Sequence, residues 1–178
     1  MAAAEGWDWV RIQADPCPQC GQDPARIPHD ELGAAGIDEA IAWHRFLSTA
    51  APQVLRTHPA PGVYSPMEYA AHVRDMYRVF GDRILLAVEQ DNPSVPSFDP
   101  TDAEFAIYNA LDPAAVAIEI RAEADRLASI LGGRRPGDWD RTAMRDGTDR
   151  FTLGGLARFA VHEAHHHLLD ANGELPAP

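Results

Sequence analysis

Apolar positions recur at spacings of three and four in four stretches of the chain, the period of a helix with one buried face. The first begins near Asp30, sets Ile37, Ala40, Ile41, His44 and Leu47 on one side, and ends before Pro52. The run Thr57-His-Pro-Ala-Pro-Gly62 is too rich in proline for a helix and must be a connection. The second stretch has the sharpest start: Ser65 suits an N-cap, Pro66 the first helical position, and Glu68 completes a capping box. Tyr69, His72, Val73, Met76, Phe80, Ile84 and Val88 follow on one face, to about Gln90. Residues 93–111 then form a long connection carrying Phe98, Phe105 and Tyr108, a length that often accompanies function. The third helix opens at Asp112-Pro113, carries Val116, Ile120, Leu127, Ile130 and Leu131, and closes at Gly132-Gly133. Residues 134–150 are mostly polar around Trp139, and the fourth helix runs from near Thr152 to about Asp170, before Asn172-Gly173.

No stretch has convincing strand alternation. The pattern predicts an all-α protein, a four-helix bundle over residues 29–172. An irregular, Pro- and Gly-rich extension over residues 1–28 precedes it, carrying Cys17-Pro-Gln-Cys20, and a short tail over 173–178 follows.

Composition narrows the function. With 178 residues, 46% of them hydrophobic and 24% charged, the chain can bury the core of one domain. No run approaches the ~20 apolar residues of a membrane span. The opening residues lack a basic and then apolar leader, so a cytoplasmic protein is expected. The 27 acidic residues against 15 basic ones give a formal charge of −12, which opposes nucleic acid and anionic lipid as partners. Every basic residue is Arg. Schiff-base chemistry and a Walker-type phosphate loop, which need a lysine amine, are excluded.

Four of the eight histidines crowd into Val161-His-Glu-Ala-His-His-His-Leu168. His162 and His166 lie one turn apart on a common face, where their imidazoles can converge on an ion at roughly 2.0–2.1 Å. His165 and His167 turn away from that face. His72 sits inside the apolar stripe of the second helix and is the third candidate ligand, because a buried neutral imidazole needs a partner. Three such nitrogens leave at least one coordination position open. The alternatives are a hydrogen-bonded core histidine at position 72 and a solvated histidine-rich face on the last helix. The run also contains H-E-x-x-H, the zinc protease pattern, with Glu163 as general base. Against a protease, only residues 167–178 follow His166, Glu174 lies beyond the helix stop, and Leu169 occupies the glycine position of the extended motif.

Ser65-Pro-Met-Glu-Tyr-Ala-Ala-His-Val-Arg-Asp75, followed at this separation by His162-x-x-x-His166, resembles the DinB-like metalloenzyme superfamily. That superfamily includes the mycothiol- and bacillithiol-dependent S-transferases and the metal-binding domain of the mycothiol-dependent maleylpyruvate isomerase. The resemblance covers roughly residues 30 to 172. It implies a four-helix bundle, commonly a homodimer, with zinc or nickel held by His72, His162 and His166. The activity it implies is a metal-dependent S-transferase or isomerase that joins a low-molecular-weight thiol to a small-molecule electrophile. The rival is a non-catalytic metal-binding or stress-response protein.

Cys17 and Cys20 stand outside that core. C-x-x-C suits a second metal site, a redox pair or a surface turn. A closed zinc site needs four ligands, and His29 or a second copy of the chain is a candidate to complete one.

Overall fold

A computed structural model describes residues 8–175. Most of the opening stretch in which no leader was found, and the last three residues of the tail, lie outside the described residues. The helices are α1 (Leu32–Thr49), α2 (Pro52–Arg56), α3 (Pro66–Glu89), α4 (Asp102–Asn109), α5 (Pro113–Gly132) and α6 (Leu153–Asn172). The strands are β1 (Ser94–Val95), β2 (Thr142–Arg145) and β3 (Asp149–Thr152).

The four long helices build the expected bundle, with α1 and α3 each packed against both α5 and α6. Trp43, Tyr77, Phe80, Ile84, Ile120, Leu127 and Leu156 are buried between them, each contributing about 1.5–3 kcal/mol for its apolar area or somewhat more for the rings. The two polar rings among these find partners. Trp43 Nε1 donates to the Ala164 carbonyl at 2.9 Å and Tyr77 Oη to that of Gly36 at 2.9 Å. These bonds join α1 to α6 and α3 to α1, fixing how the helices are rotated. The capping box opening α3 is complete, with Ser65 Oγ accepting from the Glu68 amide and Glu68 Oε2 from the Ser65 amide. That box sets the start of α3 and the face that carries His72.

Two pieces of the structure differ from the sequence expectation. The connection over residues 93–111 contains α4, opened by a second capping box, Thr101 with Glu104. Eight residues are too few to show a period or to hold a helix alone. Instead α4 is held from outside: Phe105 and Tyr108 pack on Ala71, and Tyr108 Oη donates to Asp75 at 2.6 Å. Residues 134–150 contain β2 and the turn into β3, an antiparallel hairpin with Ala143 opposite Phe151, while β1 runs parallel to β2. The turn uses Asp146 at φ 51° and Gly147 at φ 74°, the left-handed geometry that Asp-Gly favours. Strands of two and four residues carry too little alternation to be read from sequence.

The N-terminal extension is irregular but docked. Ile12 is fully buried, and Gln13 accepts from the Thr152 amide while donating to the Arg150 carbonyl. The extension thereby covers the entry to α6. Among the described residues no helix is long and apolar enough to cross a membrane.

Candidate functional site

Helix α6 is starred with chemistry because it is buried on several sides. Thr152 caps its start by accepting from the Gly155 amide, and Gly173, at φ 70°, ends it. Successive helical residues turn by roughly 100°, so positions 162 and 166 share one face and positions 163 and 167 the next. On the first face His162 and His166 meet Cys17 and Cys20 of the extension; on the second, Glu163 and His167 meet His72 of α3. In each cluster one ligand atom per residue lies within 4.8 Å of all the others.

The trio expected from the sequence is therefore not brought together. His72 joins Glu163 and His167, and no cluster among the described residues joins it to His162 and His166. The extension covers the face of His162 and His166, and α3 packs over the neighbouring one. His29, a candidate to complete a cysteine site, instead stacks on Trp139 at 4.5 Å. His165 pairs with Glu39 at 3.0 Å. The Glu163 carboxylate of the H-E-x-x-H pattern turns its Oε2 toward His72 and His167.

The cluster around His72 fits a cation. Glu163 Oε2 lies 3.7 Å from His72 Nε2 and 3.4 Å from His167 Nε2. Two ligand atoms at roughly 2.0–2.2 Å from a tetrahedral zinc stand about 3.3–3.5 Å apart, so both spacings to Glu163 are within a few tenths of an ångström of those around an ion. His167 Nδ1 donates to Asp170 Oδ2 at 2.8 Å, which leaves the Nε2 lone pair facing the cluster. His167 Nε2 and Glu163 Oε1 are buried without a hydrogen-bond partner, as is His72 Nδ1 on the far edge of its ring.

The electrostatics say what stands there without an ion. Burial disfavours the charged form of Glu163, but His162, His167 and His72 outweigh it and hold the carboxyl well below its usual range. Burial likewise pulls His167 down, yet Asp170 and Glu163 together raise it to about 9. For His72, burial wins and the pKa is lowered. One proton on His167 thus balances the Glu163 carboxylate, in the place a cation would take.

Above the cluster is a cleft. Phe98 stacks on His72 with centroids 5.8 Å apart, Phe105 approaches it at 6.0 Å, and Tyr69 stacks on His167 at 5.0 Å. The same cleft carries Arg83 and Arg145. Burial, with Arg145 nearby, lowers Arg83 to about 10, which leaves it cationic at neutral pH. Helix α4 supplies the Phe105 wall, and Asp75 secures α4. Asp75 accepts from Tyr108, from Arg74 at 2.9 and 3.0 Å, and from Arg78 at 2.7 Å.

Glu163 and His167 join His72 in this cluster, with Asp170 behind His167, an arrangement the sequence expectation did not include. A signal was present: Glu163-x-x-x-His167 is a second pair at the same spacing, shifted by one residue from the histidine pair.

The sequence profile of the DinB superfamily matches residues 38–171. No curated protein sequence matches the chain significantly. Among solved structures, the chain is similar to YfiT from Bacillus subtilis, described as "a probable metal-dependent hydrolase with an unusual four-helix bundle topology". The TM-score is 0.73 at 15% identity, over 82% of this chain and 84% of that one, a likeness of fold.

Proposed function

The chain belongs to the DinB superfamily, and from that premise we propose that it is a metal-dependent enzyme whose ion is held by His72, Glu163 and His167. The observation that supports this most strongly is the convergence of His72 Nε2, His167 Nε2 and Glu163 Oε2 beneath the cleft. Two imidazoles and a carboxylate are the donors of a zinc site that keeps a position open for catalysis. Zinc or nickel in that position would lower the pKa of a bound thiol or water and so supply a nucleophile near neutral pH.

The chain's own residues do the remainder. Asp170 fixes the tautomer and orientation of His167, as carboxylates behind ligating histidines do. Glu163 balances charge. Phe98 and Phe105 keep water off one side of His72, and Arg83 and Arg145 favour a substrate carrying an anionic group. The reaction we put first is S-transfer or isomerisation with a low-molecular-weight thiol, such as mycothiol, and a small electrophile. An anionic group on the electrophile would face the arginines. A cytoplasmic setting suits this, since such thiols are kept reduced there. Hydrolysis is the second reading. The His2Glu donor set favours it, being shared with zinc hydrolases, and YfiT carries that description.

The test is a screen of zinc- and nickel-loaded protein. Thiol loss would be followed with several bacterial thiols and model electrophiles, beside a panel of esters and amides. Metal-dependent thiol consumption that falls at least about 100-fold in His72→Ala and His167→Ala is expected. Turnover of esters or amides alone would replace S-transfer by hydrolysis. A fourth protein ligand closing the ion, with no turnover of either kind, would overturn the enzyme reading in favour of a structural or sensory ion.

A further inference from the structure

We propose that Cys17, Cys20, His162 and His166 form a second, closed zinc site, which fastens the N-terminal extension to α6 and takes no part in catalysis. Four ligand atoms from these residues lie within 4.8 Å of one another. Cys17 Sγ is 3.6 Å from His166 Nδ1. A tetrahedral zinc with sulfur at about 2.3 Å and nitrogen at 2.0–2.1 Å sets those atoms about 3.5–3.6 Å apart. His162 is fully buried, and neither of its ring nitrogens has a hydrogen-bond partner. An imidazole sealed from water with both nitrogens unmatched is costly, and an ion removes that cost at one of them.

The cysteine turn is held by its own backbone. The Cys17 amide donates to the Gln22 carbonyl at 2.8 Å, and the Gly21 amide to the Cys17 carbonyl at 2.9 Å. Gly21 takes φ 74°, which lets the chain fold back sharply after Cys20. The two cysteines form no disulfide. Two thiolates neutralise a divalent cation, so the filled site buries no net charge. Trp9 covers it, with ring centroids 5.9 Å from His162 and 5.8 Å from His166.

None of the four residues lines the cleft over His72. With four protein ligands and no coordination position left over, the site matches structural zinc and not catalytic zinc. Helix α6 would then carry two ions on adjoining faces, one open and one closed. This inference does not depend on the ion at His72.

The experiment uses full-length protein expressed with zinc and purified under reducing conditions without chelator. Two zinc equivalents are expected in the wild type, and one in the Cys17→Ser/Cys20→Ser double variant. His72→Ala is expected to retain one equivalent, with two sulfur and two nitrogen scatterers by X-ray absorption. If the ion at His72 does not exist, the wild type and His72→Ala both hold one equivalent with that same S2N2 shell, and the inference stands. Zinc without sulfur scatterers in His72→Ala, or no zinc there at all, overturns it. So does an undiminished metal content in the double variant. Chelation is further expected to speed tryptic cleavage at Arg11 and Arg26 at least tenfold while the bundle stays intact. Unchanged cleavage after zinc removal would overturn the fastening role.

Discussion

Replacing Asp170 by Asn should change how metal affinity depends on pH, with a size that follows from the site. In the metal-free protein Glu163 is ionised, His72 is neutral and His167 is protonated up to about pH 9. An ion at this cluster therefore displaces one proton, from His167. The sign is fixed by that proton. Below pH 9 it must be removed at a cost of about 1.4 kcal/mol per pH unit, so wild-type affinity rises about 100-fold from pH 7 to pH 9 and then levels. After burial has lowered it, the hydrogen bond to Asp170 is the largest single contribution that raises it. Asparagine keeps an acceptor for His167 Nδ1–H but removes the charge. The variant should level at lower pH, and above pH 9 bind about 10–100-fold more weakly, about 1.4–2.7 kcal/mol, because a less basic imidazole is a poorer ligand. At pH 7 the two effects oppose, and the difference shrinks. Asp170 also lies in the last turn of α6, where a negative charge opposes the helix dipole. Above pH 9, where His167 is neutral, its removal should leave metal-free stability within about 1 kcal/mol; at pH 7 the lost pairing with protonated His167 destabilises the folded state by about 1.4 kcal/mol for each unit by which the His167 pKa falls. Competition with a chelator across this pH range, on a Cys17→Ser/Cys20→Ser background, reads only the ion at His72. Parallel pH profiles for wild type and Asp170→Asn, or equal affinities above pH 9, would refute the role given to Asp170.

Further outcomes follow from the packing. Leu127→Ala removes a side chain that is 1% exposed, and should lower unfolding free energy by about 2–5 kcal/mol in urea. A loss below about 1 kcal/mol would contradict that burial. The Asp75 carboxyl is buried, which alone would raise its pKa, but Arg74 and Tyr108 hold it below the usual value. Its stabilising contribution is therefore present above the ordinary Asp range near ~3.9 and fades as pH falls through the lowered folded value. Urea unfolding from pH 6 down to 3 should show a shallower loss for Asp75→Asn than for wild type; a steeper loss would contradict the sign. Thr101→Ala removes one half of the α4 capping box and should cost about 0.5–2 kcal/mol there, seen as faster amide exchange over residues 102–109 with the bundle unaffected.

The bundle was legible because each long helix carries an apolar stripe and two of them carry a clear start signal. Ser65 and Asp112 cap helices in the structure as their spacing suggested, and Thr152 caps α6 where the fourth helix was expected to start. Helix α4 and the hairpin were not legible, since Phe105 and Tyr108 acquire their meaning only against Ala71 and Asp75 of α3. The two candidate clusters were half legible. His72, His162, His166 and the two cysteines were singled out, but sequence spacing gives pairs on one helix and not the element facing them. The register of α3 over α6 decides between positions 162/166 and 163/167, and tertiary packing alone sets that register. His167 therefore looked like a neighbour of the site, and Asp170 like a helix end.

The most direct measurement is anomalous diffraction at the zinc edge from crystals of full-length protein grown with zinc. Two peaks are expected. One should lie about 2.0–2.3 Å from Cys17, Cys20, His162 and His166, and the other about 2.0–2.2 Å from His72, Glu163 and His167 with a coordination position open to the cleft. A single peak shared by His72, His162 and His166, with Glu163 and His167 turned away, would contradict the account.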